Sequence, residues 1–227
     1  MTDLHMPKFD IDASSLIIFG GGGLGKYFID LVQLTGTYRL LGIVDDGIPA
    51  GTHILGVPVL GGAAILPKLH EKGVRLAVNA IGGIGNVALR VKIFSIIAEA
   101  GFTCPTLIHP TSWVEPSAAL EGGVQVLAKS YIGSAARVGF GTLINTGVIV
   151  SHDCVIGQCA NLSPESVLAG GVRVEDFAQI GMNVTVNVNV VIGARARVGS
   201  DATIKADVPP DGRVYAGTVW PIRKTEQ

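Results

Sequence analysis

Read from Val114, every sixth residue of the chain is aliphatic: Val114, Leu120, Val126, Ile132, Val138, Ile144, Val150, Ile156, Leu162, Leu168, Val174, Ile180, Val186, Ile192, Val198 and Ile204. Ile108 extends the series backwards. Val, Ile and Leu make up about 30 % of the chain, so sixteen such positions in a row arise by chance with odds on the order of 10⁻⁸. Four residues after each aliphatic position comes a small or β-branched residue, from Ala118 and Val124 through Ser130, Thr142 and Cys154 to Ala202. Glycine often follows the aliphatic residue directly, at Gly133, Gly139, Gly157, Gly181, Gly193 and Gly199, where it suits a backbone turning a corner. This pattern predicts a parallel β-helix of triangular coils. Each hexapeptide forms one side, its aliphatic residue points inward, and coils stack at about 4.8 Å with their amides paired. The unbroken register from Val114 to Ile204 gives a little over five coils and leaves no room for a long loop.

Before residue 105 the period is different. "SLIIFGGGGLGKYFIDLVQLTG" is a buried strand, a glycine turn and an amphipathic helix, and "RLLGIVDD" is a second strand ending in two carboxylates. "GVPVLGGAAILPKLHEKG" turns into a further helix, "RLAVNAIGG" is a third strand, and "IGNVALRVKIFSIIAEAG" is a longer helix closed by Gly101. Strands alternating with helices predict a small Rossmann-like parallel sheet. The expected organisation is a flexible stretch at 1–13, a Rossmann-like α/β domain at 14–104, an all-β helix at 105–208, and a C-terminal segment at 209–227.

Composition narrows the function classes. The 227 residues carry a net charge of −1, which argues against nucleic acid or an anionic membrane as the main partner. Aromatics are scarce, at 6 %, so the core must be aliphatic. Three cysteines, Cys104, Cys154 and Cys159, do not make a disulfide framework, and the Cys154–Cys159 spacing lacks a second close pair for a structural zinc. No basic-then-apolar leader and no run of eighteen apolar residues occurs, so the expectation is a soluble, cytoplasmic protein.

In repeat phase His152 and Asp153 fall two and three positions after Val150, at a corner and away from the inward slots. There a histidine can face a cleft without entering the core. Its ordinary pKa lies near working pH, which suits a proton acceptor, and a neighbouring carboxylate can fix its tautomer. "FGGGGLGKYF" follows a strand and opens a helix, so the backbone N–H groups around Gly20, Gly22, Gly23 and Gly25 could cradle an anion. Asp45 and Asp46, at the end of the second strand, could bond a ribose or a base edge. An NAD site is the obvious rival, but the chain runs straight into the repeats and offers no hydride-transfer domain.

"GGGGLGK", "IVDD", "IHPTSWVEPSA", "INTGVIVSHDCVIG", "LAGGVRV", "IGM" and "DVPPDGRVYAG", in this order, resemble the bacterial nucleotide-aminosugar N-acetyltransferases of the bacillosamine and perosamine type, relatives of sialic-acid O-acetyltransferases. The resemblance runs from about Leu16 to about Pro221. It implies a left-handed β-helix, acetyl-CoA as cosubstrate with no metal, and a homotrimer with active sites between subunits. It also implies a nucleotide-linked 4-amino-4,6-dideoxysugar as acceptor, its nucleotide held by the N-terminal domain. His152 aligns with the family's general base and Asp153 with its acidic partner. Asn145 aligns with an asparagine near the sugar, Gly170 with a glycine whose N–H meets the acetyl carbonyl, and Gly181 and Met182 with the acetyl-CoA side. "NAIGGIGNVALR" resembles the nucleotide-facing loop, with Gly82, Asn86 and Arg90 as candidates. Three departures stand out. Asn161 replaces a histidine that contacts acetyl-CoA in close relatives; it can donate to a carbonyl but cannot shuttle a proton. Leu24 stands where relatives often have a histidine. "AGTVWPIRK" replaces a shorter ending, with Arg223 and Lys224 as candidates for phosphates. Transfer to a sugar hydroxyl, or a non-catalytic trimeric scaffold or sugar sensor, remains the competing class of function.

Overall fold

The computed structural model describes residues 11–85 and 87–221. These residues form two compact units: 11–82 with 88–105, and 83–85 and 87 with 106–221.

In the first unit, β1 (Ser15–Phe19) is buried along its whole length and lies one strand in from the edge of a five-stranded sheet. β2 (Arg39–Val44) pairs parallel with one side of β1, and β5 (Leu76–Asn79) with the other. β4 (Val57–Gly61) extends the sheet beyond β2 and closes a short antiparallel hairpin with β3 (His53–Ile54). Here the structure departs from the expectation for "GVPVLGG". Val57, Val59 and Leu60 are buried as a strand rather than leading into a helix, and α2 (Leu66–Glu71) is correspondingly short. α1 (Gly23–Thr35) stops at Gly36, which takes the left-handed conformation that ends helices cheaply. α3 is Val87–Glu99. From β1 the chain steps outward through β2 to β4, then returns to the far side of β1 as β5. The crevice between the ends of β1 and β5 is therefore the topological switch point, where open α/β sheets bind ligands.

In the second unit, two-residue strands stack into three parallel sheets of seven, seven and five. The first face runs from Leu107–Ile108 to Arg213–Val214, the second from Trp113–Val114 to Val219–Trp220, and the third from Ala119–Leu120 to Val191–Ile192. Up to Thr203–Ile204, the second residue of each strand is the predicted aliphatic one. Ile132 pairs with Val150, Ile144 with Leu162 and Ile156 with Val174, one coil apart in each case. All of these, with Leu168, Ile180, Val186 and Ile192, lie in one continuous hydrocarbon column.

The column also runs past residue 208. Ile192 bridges to Val208, Val198 pairs with Val214, and Ile204 pairs with Trp220. One side between Ile204 and Val208 is two residues short, and the coil then resumes its six-residue step. Residues 209–221 thus continue the prism, and the Trp220 ring packs against the end of the column. That indole donates its Nε1–H to the Asp207 carbonyl at 3.0 Å.

Corners follow a rule of their own. The residue three positions after many of the aliphatics takes a positive φ, from Lys129 (61°) and Ala135 (58°) through Asp153 (59°) and Phe177 (63°) to Asp201 (59°). The glycines expected to turn the corners are one position after the aliphatic and have another duty. A Cβ at Gly133 would sit 2.6 Å from the His152 backbone N, and one at Gly139 would sit 2.8 Å from that of Gln158. These glycines let the next coil approach; they do not supply the left-handed turn.

Small-slot hydroxyls reinforce the stack. Ser130 Oγ donates to the Asn145 carbonyl and Thr142 Oγ1 to that of Gly157, each at 2.7 Å. Truncating Leu168 to alanine is expected to cost about 2–5 kcal/mol of unfolding free energy in urea. Arg173→Ala, outward on the third face, should stay within about 0.5 kcal/mol.

Candidate active site

His152, Asp153 and Gly170 share the edge between the second and third faces. The coil ladder fixes this edge from both sides: Asp153 N donates to the Ser134 carbonyl at 2.9 Å, and Gly171 N donates to the His152 carbonyl at 3.0 Å. Asp153 occupies the left-handed corner slot, a conformation that aspartate tolerates better than most residues. That turn brings its Oδ2 to 2.8 Å from His152 Nδ1. An ionised carboxylate has no hydrogen to give, so Nδ1–H donates, and in a neutral ring Nε2 is then the free acceptor. The two side chains are 69 % and 67 % exposed, so the pair is open to a ligand.

Gly170, one coil beyond His152, makes room for the ring. A Cβ there would lie 2.5 Å from His152 Cε1 and 2.6 Å from Nε2. Its own N–H meets no acceptor among the described residues. A proton acceptor and a spare backbone donor therefore sit side by side, which is the pairing acyl transfer to a nucleophile needs.

The other expected residues of this unit lie elsewhere on the prism. Asn145, Asn161, Gly181 and Met182 are on the first face or its edge with the second, so within one chain they do not meet His152. Asn145 Oδ1 accepts from Thr146 N at 2.9 Å. Asn161 is 1 % exposed; its Nδ2 donates to Ser163 Oγ at 3.2 Å, while Oδ1 has no partner. Its free function is thus an acceptor, the reverse of the donor expected from sequence. Gly83 packs over it, for a Cβ there would be 2.7 Å from that oxygen. Beside it runs a groove of about 460 Å³ lined by Gln179, Gly181, Met182, Arg197, Arg213 and Tyr215, among others. Sequence reasoning does not single out Gln179 or the two arginines. The position before each aliphatic residue faces outward, and reading every eighteenth such residue finds Gln179 and Arg197 as one polar column.

In the first unit the glycine turn is held by a carboxylate. Asp45 Oδ2 accepts from Gly21 N at 2.7 Å and Oδ1 from Gly47 N at 2.8 Å. Asp46 Oδ1 accepts from Ala63 N at 2.7 Å. Both acids are thus engaged by backbone, rather than pointing unoccupied at a ribose. Gly20 has φ +109°, and a side chain on Gly25 would collide with the Gly20 carbonyl, so these two glycines are structural necessities. Gly22 and Gly23 lie at the start of α1, and a Cβ added to either would meet nothing within 4 Å, so an anion could approach their backbone. Gly82 is exposed. Arg90, a candidate for the nucleotide-facing loop, is instead buried within α3. Asn86, Arg223 and Lys224 lie outside the described residues.

Burial pushes the Cys104 thiol up to about 12 and raises that of Cys154, whose Sγ donates to the Ala169 carbonyl, so neither is a ready nucleophile. Among the described residues, no three His, Cys, Asp or Glu side chains converge as a metal site.

Residues 15–97 match the PglD N-terminal domain family. PerB from Caulobacter crescentus, solved with CoA and GDP-perosamine, is 35 % identical over 91 % of this chain and 96 % of its own, with a TM-score of 0.83. A point mutant of GDP-perosamine N-acetyltransferase from the same organism is 33 % identical, covers 95 % and 99 %, and has a TM-score of 0.84. The acetyltransferase domain of PglB from Neisseria gonorrhoeae, solved with acetyl coenzyme A, is 29 % identical over 92 % and 99 %, with a TM-score of 0.82. The chain belongs to the hexapeptide-repeat nucleotide-aminosugar N-acetyltransferase family.

For a member of this family, the left-handed β-helix and the N-terminal α/β unit are the common frame. The close fit of the His152 ring against Gly170 is a property of this chain's own packing. Gly170→Ala should leave the coil intact but push the ring aside. Turnover is expected to fall by on the order of 10²-fold, the usual result of an ångström-scale misplacement, with an unchanged far-UV spectrum.

Proposed function

We propose that the protein transfers the acetyl group of acetyl-CoA to the amine of a nucleotide-linked 4-amino-4,6-dideoxysugar, with His152 as general base. The observation that carries this is the His152–Asp153 pair lying against the free N–H of Gly170. The amine attacks the thioester carbon, and the carbonyl oxygen takes on negative charge opposite the Gly170 N–H. His152 Nε2 accepts the proton released by the new C–N bond, while Asp153 stabilises the imidazolium through Nδ1–H. The tetrahedral intermediate collapses with cleavage of the C–S bond, and the proton passes on to the CoA thiolate.

The acetyl-CoA side fits the first face. Asn161 is buried beneath Gly83, so contacts with acetyl-CoA on this face fall to the open groove beside it. Arg197 and Arg213 in the adjoining groove suit phosphate. His152 and this groove occupy opposite parts of one prism, so a site using both takes its two halves from two copies of the chain. The second face supports such an assembly, because its outward residues Trp113, Tyr131, Ile149 and Val167 form an apolar stripe in which Trp113 is 64 % exposed. A homotrimer with active sites between subunits is the arrangement we infer. Among the described residues no helix is long and apolar enough to cross a membrane, and the proposed compartment is the cytoplasm.

Mass spectrometry of a panel of nucleotide-linked aminosugars with acetyl-CoA tests the reaction. One acetyl group should be added to an amine acceptor, whereas acetylation only of hydroxyl sugars would overturn the assignment. His152→Ala should keep its fold and lose roughly 10²–10⁴-fold in turnover; near-normal turnover would remove the base. Sedimentation velocity should give three times the chain mass, and Ile149→Asp should shift that species to monomer with loss of activity.

A further inference from the structure

Arg90, on α3, is the largest of the fully buried side chains, at 1 % exposure. Its Nη1 donates to the Ile81 carbonyl at 2.6 Å and, at longer range, to the Asn79 carbonyl at 3.4 Å. The Phe94 ring centroid lies 5.0 Å from the guanidinium carbon. Asn79 completes the clamp: its Nδ2 donates to the Arg90 carbonyl at 2.8 Å, and its Oδ1 accepts from Ile81 N at 3.0 Å. Both backbone polar groups of Ile81 are thus tied inward. Methionine or leucine would fill the space against Phe94 without the cost of burying a charge, so the guanidinium contributes direction rather than packing.

That direction has a consequence for the next residue. A trans peptide is planar, and its C=O and N–H point in opposite senses. With the Ile81 carbonyl turned toward Arg90, the N–H of the same peptide unit, which belongs to Gly82, is turned outward. Gly82 is exposed, a Cβ on it would meet nothing within 4 Å, and its N–H finds no acceptor among the described residues. The peptide lies just past β5 at the switch point, across from Gly20, whose Cβ position is 3.1 Å from Ile81 Cδ1.

We propose that Arg90 is a positioning residue for the nucleotide sugar: by holding the Ile81 carbonyl inward, it aims the Gly82 amide at an anionic oxygen of the diphosphate. This rests on the function proposed above. Arg90→Met keeps the bulk and removes the donors. It is expected to raise the KM for the nucleotide sugar, and the Kd for UDP or GDP (whichever binds the unmodified protein) by calorimetry, about tenfold, as for loss of one hydrogen bond to a charged group. The KM for acetyl-CoA and kcat at saturation should not change. Arg90→Lys, which can still reach one carbonyl, should fall between. Phe94→Leu should lower Tm while leaving both constants alone, which separates packing from aim.

A folded Arg90→Met protein that loses only Tm, or in which both KM values rise together, would overturn the proposal. If Arg90→Met is insoluble, Arg90→Lys and Gly82→Pro decide, since the proline deletes the donor itself. Both must raise the same constant, and wild-type affinity in either sinks the idea. If the unmodified protein binds a nucleotide diphosphate but acetylates no aminosugar, the proposed function fails. The calorimetric effect of Arg90→Met would then still support the positioning role.

Discussion

The inward aliphatic seam is the constraint on which the rest of the β-helix depends. Each of its side chains is stacked one coil above another, so the backbone cannot slip by a single residue without turning hydrocarbon outward. Strands only two residues long have almost no pairing energy of their own; their register comes from the seam. Because the seam fixes register, it also fixes which residues reach the edges, and at what height. His152 and Gly170 are neighbours for this reason alone: they are one coil apart on the same edge.

The edge then solves a problem of close approach. The ring of the proposed base needs space beside a backbone donor, and the coil spacing of about 4.8 Å leaves little. The chain answers with glycine at 170, where a Cβ would meet the ring. Asp153 takes the left-handed corner, as Lys129, Ala135 and Phe177 do on other coils, and from there its carboxylate reaches the ring. Each residue meets a geometric demand of the coil and a chemical demand of the site at the same position. Position in the coil, and not the turn itself, sets the His-Asp order: the residue two after Val150 is the one that stands beside Gly170 of the next coil.

How much of this is legible in the sequence follows from what each feature depends on. The seam is legible because its period is strict and its residues are chemically uniform. Two features escape because neighbouring coils set them, not local sequence. The glycines that follow aliphatics such as Ile132 and Val138 have the composition of corner residues, yet it is the next coil's backbone that excludes a side chain there. The shortened side before Val208 is hidden because one coil of 16 residues does not break the chemistry, only the count. In the α/β unit, Val57–Gly61 is obscured because a strand flanked by glycines and holding a proline reads as a turn. Arg90 illustrates the deeper limit: nothing in "NVALRVKIF" says that an arginine points inward.

In both units the inferred recognition of negative charge falls to main-chain N–H groups, and the surrounding fold sets where those groups point. Arg90 holds the carbonyl behind the Gly82 amide, and the seam holds the Gly170 amide. Backbone donors are the same in nearly every residue type, so they recognise charge and leave the rest of the ligand unread. An acetyl oxyanion and a diphosphate both need only charge and direction. The choice among sugars and bases must then come from side chains that line the approach, which are free to vary without disturbing the donors. A scaffold divided in this way can keep one acyl-transfer geometry while exchanging its acceptor, because the parts that fix the reaction are tied to the fold.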